Sequence, residues 1–309
     1  MNKFKKIGLT ALAASLVSAS AFAGTMDVTG AASMSYAGGS GHTGNAWSMN
    51  DSITFSGGGE MDNGWNIKAT FLLDNSDGSA AQIFDNRHIS IDMATAGTLE
   101  FWGQSGDGVL TAHDDKMPAA YEETWYGATA PTTGGATGNM FYYSNAAVVD
   151  GVNFLASYAP SGAVEANASS EFGAVYTGID GLTLGFASGT DGGAGDTAEV
   201  ENNNIWVTYA IGSVTVGFQA NESDSEVASS DKDFQAMAVS YAVSEDLSIS
   251  YGVSEIEKEG SASQESSALG ASYTMGSMTL AGSAHRHDNE NHVTTADTDN
   301  YEMTLTFAF

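Results

Sequence analysis

The sequence contains no cysteine and only 3 prolines in 309 residues. Without cysteine the chain can form neither disulfides nor thiolate metal sites, and it has no thiol nucleophile. Basic residues are also scarce, because 9 Lys and Arg stand against 38 Asp and Glu, a formal net charge of −29. This balance argues against a nucleic-acid-binding surface. Beyond the N-terminus no apolar run reaches the length of a membrane-spanning helix, about 18 residues.

Apolar residues nevertheless make up 42% of the chain, which argues against wholesale disorder. The first 23 residues are typical of a secretory signal peptide, since three lysines precede an apolar core over 7–17 and the small-residue cleavage pattern Ala21-Phe22-Ala23. That core is too short to span a bilayer. We therefore expect residues 1–23 to be removed and residues 24–309 to act outside the cytoplasm.

Beyond residue 23 apolar and polar residues alternate along most of the chain. In the last segment Tyr301, Met303, Leu305, Phe307 and Phe309 share one face, whereas Glu302, Thr304 and Thr306 share the other. A period of two is typical of β-strands with one apolar face. The body of the chain is therefore predicted to be all-β.

The connections between these strands alternate in length. Seven are short and rich in Gly, Asn and Asp, as tight hairpins require: 61–64, 95–97, 150–151, 178–181, 212–213, 244–246 and 276–277. Eight are long and polar: roughly 37–46, 75–86, 105–138, 159–169, 188–202, 220–231, 255–265 and 285–299. This order predicts 16 strands with both termini at the end of the short turns. An even strand number with short turns at one end and long loops at the other is typical of outer-membrane barrels.

Aromatic residues recur at both ends of the predicted strands. Four tyrosines precede short turns at spacings of 32 or 33 residues, and they are Tyr176, Tyr209, Tyr241 and Tyr273. A second group belongs near the loop ends, and it comprises Tyr36, Trp47, Tyr158, Phe186, Phe218 and Tyr301. Two rows of rings around an apolar band are the interfacial girdles of a membrane barrel.

Taken in order, these features resemble the general porins of Gram-negative bacteria, of the alphaproteobacterial type. The resemblance depends on the 16-strand layout, the long third loop, the stretch from Gly58 through Lys68 to Asp74, and the ending Thr304–Phe309. It implies a single domain over 24–309, a 16-stranded antiparallel transmembrane β-barrel with periplasmic turns and extracellular loops. It also implies a homotrimer in the cell outer membrane, with an inward-folded third loop that narrows a water-filled channel for passive diffusion. Neither enzymatic activity nor a cofactor is expected.

The third loop, residues 105–138, is by far the longest connection and is predicted to line the constriction. Its charged residues are Asp107, Asp114, Asp115, Glu122 and Glu123, with the single base Lys116. The resemblance places such a loop opposite basic residues of the wall, and the candidate wall residues are Lys68, Arg87, His88, Asp92 and Glu100. The mature chain has only two arginines, so it departs from that pattern. Because rings of carboxylates favour cations, we expect a cation-selective pore.

Four questions stay open at the level of sequence. Trp125, Tyr121 and Tyr126 could stack on sugars or pack the loop on the wall, and the acidic outer loops could associate weakly with divalent cations. Small residues in the first strand suggest contact with another subunit. The alternative to a porin is a secreted acidic β-rich surface-layer or adhesive protein, which would carry the same alternation without facing lipid.

Overall fold

The computed structural model describes residues 26–40, 42, 44–74, 84–131, 135–136, 138–160, 167–192, 199–227 and 229–309. The predicted signal peptide lies outside the described residues, so it stays a prediction. In the described part, helix is confined to three 3-10 turns at Ala94–Ala96, Thr111–His113 and Glu290–His292. No helix there is long and apolar enough to cross a membrane.

Sixteen strands form one closed antiparallel barrel in which every strand pairs with its neighbours in sequence and β1 pairs with β16. The strands are β1 Met26–Gly39, β2 Trp47–Glu60, β3 Asn66–Asp74, β4 Asn86–Asp92, β5 Thr98–Gln104, β6 Met140–Val149, β7 Val152–Ala159, β8 Ser169–Ile179, β9 Leu182–Asp191, β10 Val200–Ile211, β11 Val214–Ser225, β12 Lys232–Ala242, β13 Leu247–Lys258, β14 Gln264–Met275, β15 Met278–Asp288 and β16 Thr298–Ala308. The predicted strand number and topology are confirmed.

The seven predicted short turns close the hairpins at one end of the barrel. At the turn between β6 and β7, Gly151 has φ of +74°, a left-handed conformation that glycine adopts without steric cost. The described part of the chain also begins and ends at this side, because the backbone amides of Gly30 and Phe309 each donate to the other residue's carbonyl oxygen at 2.9 Å. The longer connections therefore all leave from the opposite end, called here the loop end.

The two faces of the barrel wall differ sharply in character. Outward-facing apolar side chains are exposed in the isolated chain, as shown by Ile205 at 58%, Met237 at 59% and Leu269 at 59%. Tyr209, Tyr241 and Tyr273 flank this surface near the turns, and at the loop end Tyr36 packs edge-on against Trp47 with ring centroids 4.9 Å apart. The inward face is polar and carries buried Asn, Gln and Ser side chains. An exposed apolar belt of this extent marks a surface that contacts lipid or protein.

Candidate pore constriction

The connection between β5 and β6, residues 105–139, folds into the barrel and is called the constriction loop. Its described residues contact the inner faces of strands from β7 round to β16. These contacts do not include β1 to β4. On that side of the barrel, among the described residues, only β5, the strand from which the loop starts, touches it. The open part of the lumen is therefore bounded by the loop on one side and by β1–β5 on the other.

Glu171 on β8 holds both ends of the constriction loop. Its carboxylate accepts a hydrogen bond from the backbone amide of Leu110 at 3.1 Å and another from the backbone amide of Ala136. The hydroxyl of Ser157 donates to the same carboxylate and accepts from the amide of Val109 at 2.9 Å. These bonds satisfy a buried carboxylate and fix the loop where it enters and leaves the wall.

Amide side chains of the wall bind the next segment of the loop. Gln219 on β11 donates to the carbonyl oxygens of His113 and Asp114 at 3.1 and 2.6 Å, and its own oxygen accepts from the amide of Lys116 at 2.7 Å. Asn204 on β10 donates to the carbonyl oxygen of Leu110 at 3.0 Å. The loop backbone thus obtains partners that a buried non-helical segment could not find within itself.

The second half of the loop packs on β12 to β14. Trp125 is only 6% exposed and meets Phe234 edge-on, with ring centroids 5.0 Å apart, beside Ile256. The hydroxyls of Thr124 and Ser254 are 2.6 Å apart, and the amide of Ala120 donates to Ser250 Oγ at 2.8 Å. The buried indole packs the loop against the wall and is not presented to a solute.

Tyr121 and Tyr126 also bind the wall, through β16. The Tyr126 hydroxyl donates to the carboxylate of Glu302, and the Tyr121 hydroxyl lies 2.8 Å from Thr304 Oγ1. Thr304 in turn donates to Glu302 at 3.0 Å and lies 2.7 Å from Ser35 Oγ. All three aromatic side chains of the loop therefore serve its attachment, which favours packing over sugar stacking.

Glycines on the inner face of the wall make room for the loop. A Cβ at Gly173 would lie 2.8 Å from Val109 Cγ1, one at Gly217 2.5 Å from Pro118 Cδ, and one at Gly252 2.6 Å from Thr124 Cγ2. Such distances are well inside van der Waals contact. We call Gly173, Gly217 and Gly252 the glycine track, because they lie under successive parts of the loop.

The predicted loop carboxylates are brought close enough to interact. Burial raises the pKa of Asp114 to about 7, with further contributions from Asp115 and Asp107, while Lys116 acts in the opposite direction. Burial and the charge of Glu123 raise the pKa of Asp115 to about 6. Burial again raises the pKa of Glu122 to about 7, followed by the charges of Glu123 and Glu302. Among the described residues no ion pair joins any of these carboxylates to Lys or Arg.

Across the lumen, β3 to β5 carry Lys68, His88 and Glu100 on their inward face. The His88 ring stacks on Trp102 with centroids 4.0 Å apart, and Trp102 Nε1 donates to Glu100 at 2.8 Å. A recess of about 350 Å³ between this wall and the start of the loop is lined by Glu100, Trp102 and Asp107, among others. The open wall therefore contributes one lysine and at least one carboxylate, not a basic cluster.

Two of the predicted wall residues lie elsewhere. Arg87 pairs across the sheet with the outward-facing Phe71 and precedes the inward-facing His88, so alternation puts its side chain on the outer face of the barrel. The prediction that it lines the pore is wrong. Asp92 ends β4 at the turn side and accepts a hydrogen bond from the amide of Ala94 at 2.9 Å, so it belongs to the turn and not to the constriction.

Sequence reasoning missed Glu171, Glu302 and Gln219 as residues of the constriction. Each lies on the polar face of a strand, which was visible in the alternation, but nothing in the local sequence shows that a loop far away in the chain contacts it. Glu171 and Glu302 could have been recognised in the sequence by their size and charge on the polar face of their strands. Most inward positions near them are Ser, Thr, Gly or Asn.

The comparisons with known proteins agree with this geometry. The family described as Gram-negative porin matches residues 8–264 and 172–309. The chain belongs to the Gram-negative porin family. No curated protein sequence matches the chain. The predicted family is thereby confirmed, and the alternative of a secreted surface-layer or adhesive protein receives no support.

Solved porin structures share the fold of this porin at low sequence identity. A triple mutant of the Rhodopseudomonas blastica porin is 15% identical with a TM-score of 0.70, covering 92% of this chain and 100% of that one. OmpT of Vibrio cholerae in its trimer form is 14% identical with a TM-score of 0.69, covering 93% and 100%. A variant of OmpT lacking loop L8 is 13% identical with a TM-score of 0.71, covering 93% and 99%. At these identities the likeness concerns the fold alone.

Proposed function

We propose that this porin is a passive diffusion channel that favours cations over anions. The carrying observation is the run of carboxylates along the constriction loop, at Asp107, Asp114, Asp115, Glu122 and Glu123, with no ion pair to a base in the described part of the chain. Fixed carboxylates raise the local concentration of cations and lower that of anions. Lys116 and Lys68 offset this field only in part.

The charge of the whole chain acts in the same direction. Removal of residues 1–23 takes away three lysines and no carboxylate, so processing makes the mature chain more negative. Most remaining acids lie at the loop end, where they would attract cations to the mouth before the constriction is reached. Divalent cations would join this counter-ion cloud, and the proposal includes neither a resident metal nor a cofactor. The proposal likewise includes no catalysis.

The native assembly in this proposal is a homotrimer in the outer membrane, exported with the help of residues 1–23. One structural neighbour is described as a trimer, namely OmpT of Vibrio cholerae. The outward face of β1 supports subunit contact, because Gly30 and Ala32 lie on it between larger apolar residues. Small side chains let two protein surfaces approach more closely than lipid tails require.

Reversal-potential measurements in planar bilayers test the selectivity. The purified protein is inserted between solutions of unequal KCl concentration, and the sign of the zero-current potential reports which ion permeates more easily. We expect cation preference that weakens as ionic strength rises, because salt screens the fixed charges. Anion preference at low salt would refute the proposed selectivity, and absence of conductance would refute the channel itself.

A further inference from the structure

The outward face of β1 and β2 carries a carboxylate inside the apolar belt. Asp51 pairs across the sheet with Ala32, and the outward neighbours on its own strand are Met49 and Ile53. Asp51 is exposed in the isolated chain. On the same strand Trp47 belongs to the aromatic girdle at the loop end, and Asp51 lies about 14 Å further toward the turns, from a rise of about 3.4 Å per residue.

A charged side chain at that depth is unfavourable against hydrocarbon, and on barrel surfaces the cost grows toward the bilayer midplane. Among the described residues no partner of Asp51 relieves this cost, because its cross-strand neighbour on β1 is Ala32 and it takes part in no ion pair there. A carboxylate in such surroundings is expected to face protein that supplies a donor.

Of the six Lys and Arg residues beyond residue 23, only one is a candidate for that donor. Lys68 faces the lumen, Lys116 lies in the constriction loop, and Lys232 and Lys258 share the inward face of Phe234 and Ile256. Arg286 faces outward but is paired with Asp288 at 3.1 Å. Arg87 is the remaining base.

Arg87 is also out of place against lipid. It faces outward opposite Phe71, and its Nε atom lies 3.6 Å from the position that a Cβ on Gly103 would occupy. Its outward neighbour along β4 is Ile89, which is 46% exposed in the isolated chain. The missing side chain at Gly103 leaves the guanidinium open on that side. Asp51 on β2 and Arg87 on β4 are thus opposite charges on one sector of the barrel.

We infer that a second copy of this chain covers the β1–β4 sector, and that Asp51 of one subunit forms an ion pair with Arg87 of the next. This inference depends on the proposed trimer and gives it a specific contact. In a ring with threefold symmetry each subunit offers Asp51 to one neighbour and Arg87 to the other, so every charge on the sector finds a partner. Because the pair would be shielded from water, loss of one partner would leave the other uncompensated.

Cysteine cross-linking tests the contact directly, because the chain has no native cysteine. The variant carrying Asp51→Cys and Arg87→Cys is refolded in detergent, oxidised mildly and run on denaturing gels. We expect covalent dimers and trimers as the dominant bands, since disulfides form only between closely placed side chains. The matched control combines Asp51→Cys with Ser188→Cys, whose second cysteine faces outward on β9 across the barrel. It should stay monomeric on the gel.

Charge variants provide a second measurement that does not depend on disulfide geometry. Asp51→Asn and Arg87→Gln should each lower the temperature at which trimers dissociate, whereas Asp51→Arg combined with Arg87→Asp should restore it toward the wild-type value. A lipid-facing Asp51 predicts the opposite sign for Asp51→Asn, because removal of a charge from lipid is favourable. Absence of cross-linked bands, or a double exchange no better than its single parents, would overturn the ion pair. Conductance of the same preparations tests the channel separately.

Discussion

The carboxylate of Glu171 and the backbone amide of Leu110, 61 residues apart in sequence, are joined by a hydrogen bond of 3.1 Å. The same carboxylate accepts from Ala136, near the other end of the constriction loop. One wall residue therefore clamps the loop at both of its ends. The loop is held as a closed unit, and its middle is attached separately through Gln219 and Trp125.

Glu171→Gln should loosen the constriction loop without unfolding the barrel. The substitution turns one acceptor oxygen into an NH₂ donor that faces backbone N–H groups, and hydrogen bonds to a charged acceptor are each worth about 1.5–3 kcal/mol. We expect faster hydrogen exchange over residues 108–113 and noisier single-channel currents. Glu255→Gln is the matched control, because Glu255 faces outward on β13. Equal exchange rates in wild type and Glu171→Gln would contradict the clamp.

Neutralisation of Asp114, Asp115 and Glu122 together should sharply reduce cation selectivity. A unit charge about 8 Å from a passing ion contributes about 0.5 kcal/mol in water, which is about a twofold change in local ion concentration per charge. Each charge changes the cation and anion concentrations in opposite directions, so the triple variant to Asn, Asn and Gln should lower the cation-to-anion permeability ratio by about sixtyfold at low salt and about pH 9, where all three carboxyl groups are ionised. The reversal potential measures this ratio.

An equal change of charge on the outer face of the wall provides the control for that experiment. Asp233, Glu255 and Glu257 point outward near the loop end of β12 and β13. Their neutralisation alters the net charge by the same amount but leaves the constriction untouched. If both triple variants shift the reversal potential equally, selectivity arises from the overall charge and not from the constriction loop.

Selectivity should change with pH around neutrality and not near pH 4. The pKa values of Asp114 and Glu122 are raised to about 7 and that of Asp115 to about 6, chiefly by burial. As pH falls from about 8 to about 5, the folded loop takes up protons that an unfolded chain takes up only near pH 4. The loop packing should therefore become more stable while its negative charge decreases.

Reversal potentials recorded across this pH range test the titration. We expect cation preference to decline with a midpoint between pH 6 and pH 7, and the triple neutral variant to lose this dependence. A midpoint near pH 4 would show that these carboxyl groups titrate as solvated side chains. The hydrogen-exchange protection of the loop, corrected for the intrinsic pH dependence of amide exchange, should rise as pH falls over the same range, because protonation relieves the burial of charge.

Lys68→Gln should raise cation selectivity, in the opposite direction to the loop variants. Lys68 is the base on the inward face of the wall that the constriction loop leaves open. Its removal takes away about one unit of opposing charge, which acts on cations and anions in opposite directions, so a change of about fourfold in the permeability ratio is expected. Arg87→Gln should leave the ratio unaltered, because Arg87 lies outside the barrel. An equal effect of the two substitutions would place Arg87 in the pore.

The barrel could be predicted from sequence because its information is local. Each strand is indicated by the alternation of apolar and polar residues. Each short turn is indicated by Gly, Asn or Asp at a position with a left-handed backbone conformation, as at Gly151. The length of the constriction loop and its carboxylates were visible for the same reason. Its attachment was not, because Glu171, Gln219 and Glu302 contact loop residues between 35 and 181 positions away.

The error at Arg87 has a simpler cause. The resemblance called for basic residues on the pore wall and Arg87 was one of the few available, whereas its pairing with the outward-facing Phe71 sends it outward. The rule that a one-residue shift moves a side chain to the other face of a sheet holds along the β3–β4 ladder, although the β4–β5 ladder changes register between Arg87 and His88. The same rule, applied to β2, would have identified Asp51 as a carboxylate among lipid-facing positions.

The glycine track determines how the aperture of such a pore can change, both in evolution and by mutagenesis. The loop packs against the wall where Gly173, Gly217 and Gly252 lack side chains. The size of the residues at these three positions therefore determines how far the loop projects into the lumen. A single added methyl group at Gly217 or Gly252, where the nearest atom belongs to the loop, would push the loop inward and narrow the aperture with no change in its charge. Conversely, a loop with other charged residues can be grafted onto the same wall, with the three glycines left in place. The width of the aperture thus depends on the glycine track, whereas the preference for cations depends on the charged residues of the constriction loop. Each property can be changed without the other.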